Sequence, residues 1–387
     1  MRRLLFLVSI VVLVDTMLYA ALTPLLPRFA HELHLSKFGA GVLLASYAFG
    51  ALVGGLPGGR AAARLGPRRA MLVGLTMMGL AGVAFAFADT FPELLAARVV
   101  QGAGSAFTWA GAFAWLLNCA PQARRGEMIG KAMGAAVFGE LLGPVLGVIS
   151  SGLGRSAVFT AVAALSVVLA AMTARLDVDS ELEPVEVTLR SGLRQHRFVD
   201  GIVLLAIGST LFGVLSVLAP LHLAAAGWGT AAIGGVWLLG AAFEASESPF
   251  VGRLSDARGP LTPARLALLA GVPVSLALAT DAAPDIYVPL MVLAGLAYGA
   301  LFTPSFSLVA EGAERAGLAQ GMAFGLMNAS WAVGAMAGPA IAGAIASTTG
   351  DTAPFVIAAV GCALAAWLFS RRAADARASA SIGAGIT

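Results

Sequence analysis

Charge is what this chain has least of. Asp, Glu, Lys and Arg make up 12% of its 387 residues, where a soluble domain carries about a quarter. So few charges cannot cover a water-facing surface. Histidine (4) and cysteine (2) are scarce as well. Cys119 and Cys362 each fall inside an apolar run and form no disulfide framework. His31 and His34 flank the end of the first run, with no second cluster near them in sequence, so no metal site is expected. Ser105 and Thr108 have no sequence partner that would serve as a base, and no phosphate-cradling glycine loop ends in Lys-Ser or Lys-Thr. Nucleophilic catalysis, direct use of ATP and any bound cofactor are therefore not expected. No basic patch interleaved with aromatics points to nucleic acid.

Apolar residues fill the space that charge leaves. They account for 59% of the chain, the mean hydropathy is +0.87, and glycine is abundant at 47. Glycine is favoured where helices pack closely in lipid. A helix needs about 20 apolar residues to cross about 30 Å of hydrocarbon. Twelve runs qualify: 4–27, 38–58, 70–88, 92–117, 128–150, 156–174, 201–223, 232–252, 262–280, 287–309, 318–346 and 353–370. They are continuous rather than alternating, which predicts helices and not a barrel. The first run is too long for a signal peptide and contains Asp15. The expected fold is an all-α integral membrane protein with twelve transmembrane helices.

Lys and Arg set the orientation. With the N-terminus inside, 20 of the 24 fall in cytoplasmic segments and only Arg28, Lys37 and Arg155 fall outside. The one left, Arg98, lies within the fourth run. This asymmetry predicts an N-in, C-in topology. The most polar segment, 175–200, divides the chain and reads as a cytoplasmic linker, with a short surface helix near Ser191–Arg197. The Ala-, Ser- and Gly-rich tail, 373–387, is expected to be disordered.

The two halves repeat. Gly59-Arg60 and Gly66-Pro67 recur as Gly252-Arg253 and Gly259-Pro260, an offset of 193. Gly139, Gly143-Pro144 and Gly147 in the fifth run echo in Gly334 and Gly338-Pro339 of the eleventh, an offset of 195. Both copies start on the same side, so the repeat is parallel: a six-helix bundle over 1–174 and another over 201–372. Such repeats place a substrate path between the bundles near the midplane. Glycines four apart let a neighbouring helix approach, and proline invites a bend. These residues therefore read as hinge and packing seam.

Four stretches together resemble the major facilitator superfamily, and more narrowly its twelve-helix drug:proton antiporter branch, vesicular amine transporters included. The first is the loop Gly59-Arg60-Ala61-Ala62-Ala63-Arg64-Leu65-Gly66-Pro67-Arg68-Arg69. Here Ala63 stands where the family pattern has an aspartate, and the second copy keeps that aspartate as Asp256. The others are Arg98-Val99-Val100-Gln101-Gly102, the seam from Gly139 to Gly147, and Asp15-Thr16-Met17-Leu18 followed by Pro24 and Pro27. The resemblance implies antiport associated with the seam. It also implies cytoplasmic gate loops at Gly59, Arg60, Arg64, Gly66, Arg68 and Arg69, and at Gly252, Arg253, Asp256 and Gly259. Asn328 stands where some amine-transporting relatives carry an acid.

Ionisable residues within a membrane are costly and commonly mark a pathway or relay. Asp15, Arg98, Glu140, Glu244 and Glu247 qualify. At 1.5 Å per residue, Asp15 and Glu140 lie about 16 and 18 Å from the inner ends of their helices, and Arg98 about 21 Å. Asp15, Arg98 and Glu140 are therefore expected to cluster on a central cavity and couple protons. The other reading is an ion pair that only fixes packing. Glu244 and Glu247, three apart on one helix face, are a candidate cation or proton site, unless Glu247 meets the cytoplasmic loop and Arg253. Tyr19, Tyr47, Gln101, Thr108, Trp109, Tyr298, Asn328 and Trp331 are the candidate cavity lining, since aromatics attract organic cations. The expected function is proton-coupled export of small lipophilic or cationic compounds by a monomer in the cell membrane. Its partners would be substrate, protons and the bilayer. Export of a polar metabolite, such as a sugar or amino acid, and a non-transporting receptor or assembly factor remain alternatives.

Overall fold

Apolar runs separated by charged or glycine-bearing turns have one satisfactory answer in lipid, which is helix, because helices pair every backbone group internally. A computed structural model describes residues 1–120, 125–176, 189–280, 282–318 and 320–384, and it is built from helices. The first run is split by its own prolines: α1 covers Arg2–Ala20, a 3-10 turn follows at Thr23–Leu25, and α2 covers Leu26–Glu32. Then come α3 (Lys37–Leu65), α4 (Pro67–Phe87), α5 (Phe91–Cys119), α6 (Arg125–Leu153) and α7 (Arg155–Arg175). After the short α8 (Leu189–Arg194) the chain continues through α9 (His196–Ala225), α10 (Thr230–Arg258), α11 (Leu261–Leu278), α12 (Pro284–Gly299), α13 (Phe302–Ala316), α14 (Gln320–Thr349) and α15 (Thr352–Ala384).

The helix starts follow local chemistry. Ser36 precedes α3 and its hydroxyl accepts from Gly39 N at 3.2 Å. Thr90 and Glu93 form a capping box on α5, with Glu93 accepting from the backbone of Asp89 and Thr90 at 2.8 and 3.0 Å. Proline in the first turn opens α4, α5 and α12.

Among the described residues, ten helical segments are long and apolar enough to span a membrane. Neither α5 nor α10 is among them, although each has 29 residues. They carry the polar groups: Arg98, Gln101, Ser105 and Thr108 on α5, and Glu244, Ser246, Glu247 and Ser248 on α10. Two single runs from the sequence reading are interrupted. The tenth breaks at Ala300–Leu301 between α12 and α13, as the first breaks at the Thr23–Leu25 turn. The expected disordered tail differs too, because α15 runs on to Ala384. Its Ala and Arg residues are strong helix formers continuing a helix already nucleated. Residues 177–188 of the expected linker and 385–387 of the tail lie outside the described residues, as does the side chain of Ala63.

The sequence repeat reappears as geometry. Both α3 and α10 have 29 residues and end at a glycine with positive φ, Gly66 at 92° and Gly259 at 79°. Only glycine adopts that conformation without strain. Packing partners repeat as well: α1 on α6 and α4 on α7 correspond to α9 on α14 and α11 on α15. The glycine seams make these contacts. A Cβ at Gly139 would fall on Leu13 O, and one at Gly143 on Ala20, so α6 lies against the backbone of α1. Gly334 and Gly338 face Ala206, Ser209 and Thr210 of α9 in the same way. Two further contacts, α3 on α14 and α6 on α10, join the first group of helices to the second. Gly41 on α3 meets the Pro339 carbonyl, Gly234 on α10 meets Val148, and Lys37 pairs with Asp351. All three lie where α3 and α10 begin and α6 and α14 end. Toward the other ends of α3 and α10 exposure rises: Val53, Leu56, Phe243 and Phe250 are open.

Candidate functional site

Two constellations lie side by side where α1 passes between its neighbours. The first is fully packed. On α5, Arg98, Gln101, Ser105 and Trp109 recur at helical spacing and share a face. Glycine lets α3 come close to that face: a Cβ at Gly102 would strike the Tyr47 carbonyl. The close approach puts the Tyr47 hydroxyl on Asp15 of α1 at 2.9 Å. Ser105 Oγ and Trp109 Nε1 also donate to Asp15, each at 2.6 Å. Asp15 is 2% exposed, and each of its carboxylate oxygens accepts at least one hydrogen bond.

Arg98, 1% exposed, belongs to the same assembly but does not ion-pair with Asp15. It donates to Gln101 Oε1 at 2.8 Å, to Leu18 O at 3.2 Å and to Tyr19 O at 3.4 Å. Its guanidinium lies over the Tyr47 ring, 4.8 Å from the centroid. Tyr47 is thus the link: ring under the cation, hydroxyl on the anion. The expected Asp15–Arg98–Glu140 cluster is corrected accordingly. Depth along a helix does not give direction around it, and Glu140 points elsewhere.

Glu140 opens onto the second constellation, a pocket of about 710 Å³, including the solvent at its mouth. Each wall is one face of a helix: Tyr19, Ala20 and Thr23 from the first segment, Glu140 and Pro144 from α6, and Phe212, Leu215 and Ser216 from α9. Opposite them stand Trp237, Gly240, Ala241 and Glu244 from α10, with Met291, Val292 and Gly295 from α12. Glu140 and Glu244 therefore face one pocket from two different helices. Neither carboxylate has a hydrogen bond or ion pair among the described residues. Glu244 occupies the room left by Gly299, where a Cβ would sit 2.5 Å from the carboxyl carbon.

Of the eight expected lining residues, Tyr19 lies on this pocket. Tyr47, Gln101 and Trp109 belong to the buried Asp15 network. Trp331 packs edge-on against Tyr19 with centroids 5.1 Å apart, and Tyr19 packs on Tyr47 at the same distance. Thr108 faces α4, donating to Gly104 O at 2.8 Å where Gly74 makes room for it. Tyr298 is buried against α11, 2.8 Å from Ser275 Oγ. Asn328 is half-buried on α14 and away from the pocket wall. Glu247 is half-buried one turn beyond Glu244 and also lies off the wall; its Oε2 has no partner among the described residues.

Sequence reasoning missed Trp237, Phe212, Met291 and Thr23. A signal existed for Trp237, since Trp237, Gly240, Ala241 and Glu244 follow the helical period.

The loop residues divide. Arg68 caps the end of α7, donating to Thr173 O at 3.1 Å and to Ala174 O. A cation at a helix C-terminus is a stabilising placement, so Arg68 holds α4 to α7. Arg253 reaches back to Pro249 O at 3.3 Å and covers the Phe250 ring. Arg60, Arg64, Arg69 and Asp256 are exposed.

The model for the Major Facilitator Superfamily matches residues 8–323 of this chain. The chain belongs to that superfamily. Among its relatives is a probable vesicular acetylcholine transporter-B of Danio rerio, 33% identical over 155 residues, 38% of this chain and 31% of that protein. Another is the MFS-type transporter ppzB of Metarhizium rileyi, 33% identical over 157 residues, 39% of this chain and 32% of that protein. The matches thus span about a third of the length of these relatives. In shape the chain is similar to a bacterial homolog of the human lysosomal transporter Spinster, inward-facing and unoccupied. The TM-score is 0.77 at 15% identity, over 95% of each chain. It is also similar to a D-xylose-proton symporter, with a TM-score of 0.72 at 17% identity, over 94% of this chain and 97% of that one. This superfamily member is a multi-pass membrane protein with the fold of secondary transporters, and its relatives are transporters rather than enzymes.

Proposed function

We propose that this protein exports small lipophilic or cationic compounds in exchange for protons, by alternating access. The observation that carries the reading is the pocket itself: acidic, partly aromatic, and built where α6 meets α10. Carboxylates without partners attract cations, and aromatic walls suit their apolar bodies. The named substrate of several relatives, acetylcholine, is an organic cation, which agrees with such a pocket.

In this reading α5 and α10 join the ten apolar spans to make twelve, with both termini in the cytoplasm as the Lys and Arg distribution requires. Arg98, Gln101 and Ser105 are tolerated in α5 because they serve the Asp15 network, and Glu244 in α10 because it faces the pocket. Residues 1–174 and 201–372 act as two bundles joined by 175–200, and they rock around the pocket. The Lys37–Asp351 pair and the α3–α14 contact then form the outer barrier. Arg60, Arg64, Arg69 and Arg253 line the cytoplasmic face, the seams at Gly139–Gly147 and Gly334–Pro339 act as hinges, and a monomer in the cell membrane suffices. Protons are exchanged by the ionisable groups within the spans, with Asp15, Arg98, Glu140, Glu244 and Glu247 as the candidate set.

The test is flux in proteoliposomes under an imposed pH gradient, with a panel of dyes, amines and sugars. Gradient-driven movement of dyes or amines is expected. Movement of sugars alone would transfer the reading to a polar-metabolite exporter, and no flux of any class would overturn it.

A further inference from the structure

The acids of the transport reading differ in what surrounds them. Asp15 is held by three donors, with the Arg98 guanidinium on the far side of Tyr47. A carboxylate so held is 2% exposed and is not part of the pocket wall. Glu140 and Glu244 are the reverse: open to one pocket, supplied with no donor, and carried by helices from opposite halves of the repeat.

A further group on the wall points to a ligand. Trp237 is 8% exposed, and its Nε1 has no acceptor among the described residues. A buried donor without a partner is costly, and a ligand bearing an acceptor, such as an ester or ether oxygen beside its charged group, could complete it. The Trp237 ring packs on Phe212 with centroids 5.9 Å apart, giving the pocket an aromatic wall.

The charged surroundings are sparse. Glu244 feels Glu140 across the pocket and Glu247 along its own helix. Tyr19 shares the pocket wall with Glu140, and its backbone carbonyl accepts from Arg98 at 3.4 Å. The other pocket walls, from α9 and α12, bring no ionisable group. Arg265 in the second turn of α11, Arg315 in the last turn of α13 and Arg253 of α10 lie toward the C-terminal end of α10. Lys131 is nine residues back from Glu140, about 14 Å along α6. Among the described residues, no cation is therefore paired with either carboxylate.

We propose that Glu140 and Glu244 form one cation site, occupied in turn by a proton and by a monovalent organic ammonium whose apolar body lies on Tyr19, Phe212 and Trp237. This rests on the transport reading and narrows it: the exchanging acids are these two, and Asp15 is a positioning residue. Charge balances at each exchange. The arriving ammonium displaces a single proton from the pair, which leaves to solvent, and the net charge of the pocket is unchanged. Because one acid sits on α6 and the other on α10, parting of these helices divides the site and weakens its hold on either occupant.

Binding of tetraphenylphosphonium to the full-length protein in lipid nanodiscs tests this across the neutral pH range. Wild type should bind about tenfold more tightly per pH unit as pH rises, the linkage slope for one displaced proton. Glu140→Gln and Glu244→Gln should each bind about tenfold more weakly or worse, with the pH slope lost, the scale of one removed charge contact. Glu140→Asp should keep the slope, separating charge from shape, and Glu32→Gln, exposed at the end of α2, should keep both slope and affinity. An unchanged slope in Glu140→Gln and Glu244→Gln, or a slope lost only in Asp15→Asn, overturns the assignment. If wild type moves dyes or sugars under a pH gradient yet binds no tetraphenylphosphonium, the cation site falls while transport stands. If nothing moves under any gradient, the transport reading falls with it.

Discussion

Asp15 accepts hydrogen bonds from three helical side chains, and its worth is measured by what its removal strands. Trp109 Nε1 donates to Asp15 at 2.6 Å, so Asp15→Ala takes the acceptor from a half-buried indole N–H. Ser105 and Tyr47 lose their acceptor at the same time. One such stranded donor costs about 1–3 kcal/mol. We expect a clear fall in the detergent melting temperature for Asp15→Ala and a smaller one for Asp15→Asn, whose carbonyl still accepts. A thermal scan with a tryptophan readout checks both. The sequence picks out Asp15, Arg98 and Gln101 because polar groups in an apolar run are conspicuous. It does not reveal that Tyr47 separates acid from base, since that depends on how closely Gly102 lets α3 approach. Glu140 and Glu244 are legible as costly residues for the same reason. Their shared pocket is not, because it needs the angle of each helix about its axis and the packing of α6 on α10, whose acids lie 104 positions apart.

At the scale of the helix, the glycine seam of α6 is a packing surface before it is anything else. Gly139 and Gly143 touch the backbone of α1, while Gly134 on the same helix has nothing within 4 Å of its Cβ position. That contrast makes an internal control. Gly139→Ala should lower stability and shift the fluorescence of nearby Trp109, and Gly134→Ala should do neither. The seam and its echo on α14 are plain in the sequence because close helix approach demands small residues. The interruptions are harder to see. Prolines at Pro24 and Pro27 mark the break after α1, but the turn at Ala300–Leu301 has no breaker inside it, although Pro304 follows within the first turn of α13. The extension of α15 is likewise hidden, because Ala-rich sequence serves a helix and a tail equally well.

The whole molecule is organised by two copies of one helix pattern, and the copies have diverged where the chemistry lies. Gly66 and Gly259 keep the same backbone conformation at the ends of α3 and α10. In α14, by contrast, Ala335 follows Gly334 where Glu140 follows Gly139. The acid facing Glu140 comes instead from α10, so the pocket is asymmetric although the scaffold is not. The repeat, the charge asymmetry of the loops and the superfamily membership all bear on the scaffold. Function rests on the asymmetric part. Exchange of cargo for proton is tested by driving it backwards. Proteoliposomes holding a trapped pH dye, with no pH gradient imposed, are given an inward gradient of tetraphenylphosphonium with the membrane potential clamped. Wild type should drive protons out as the cation enters, raising the internal pH, and Glu140→Gln should not. Cation entry with no change in internal pH, or the same change in Glu140→Gln as in wild type, would contradict the account.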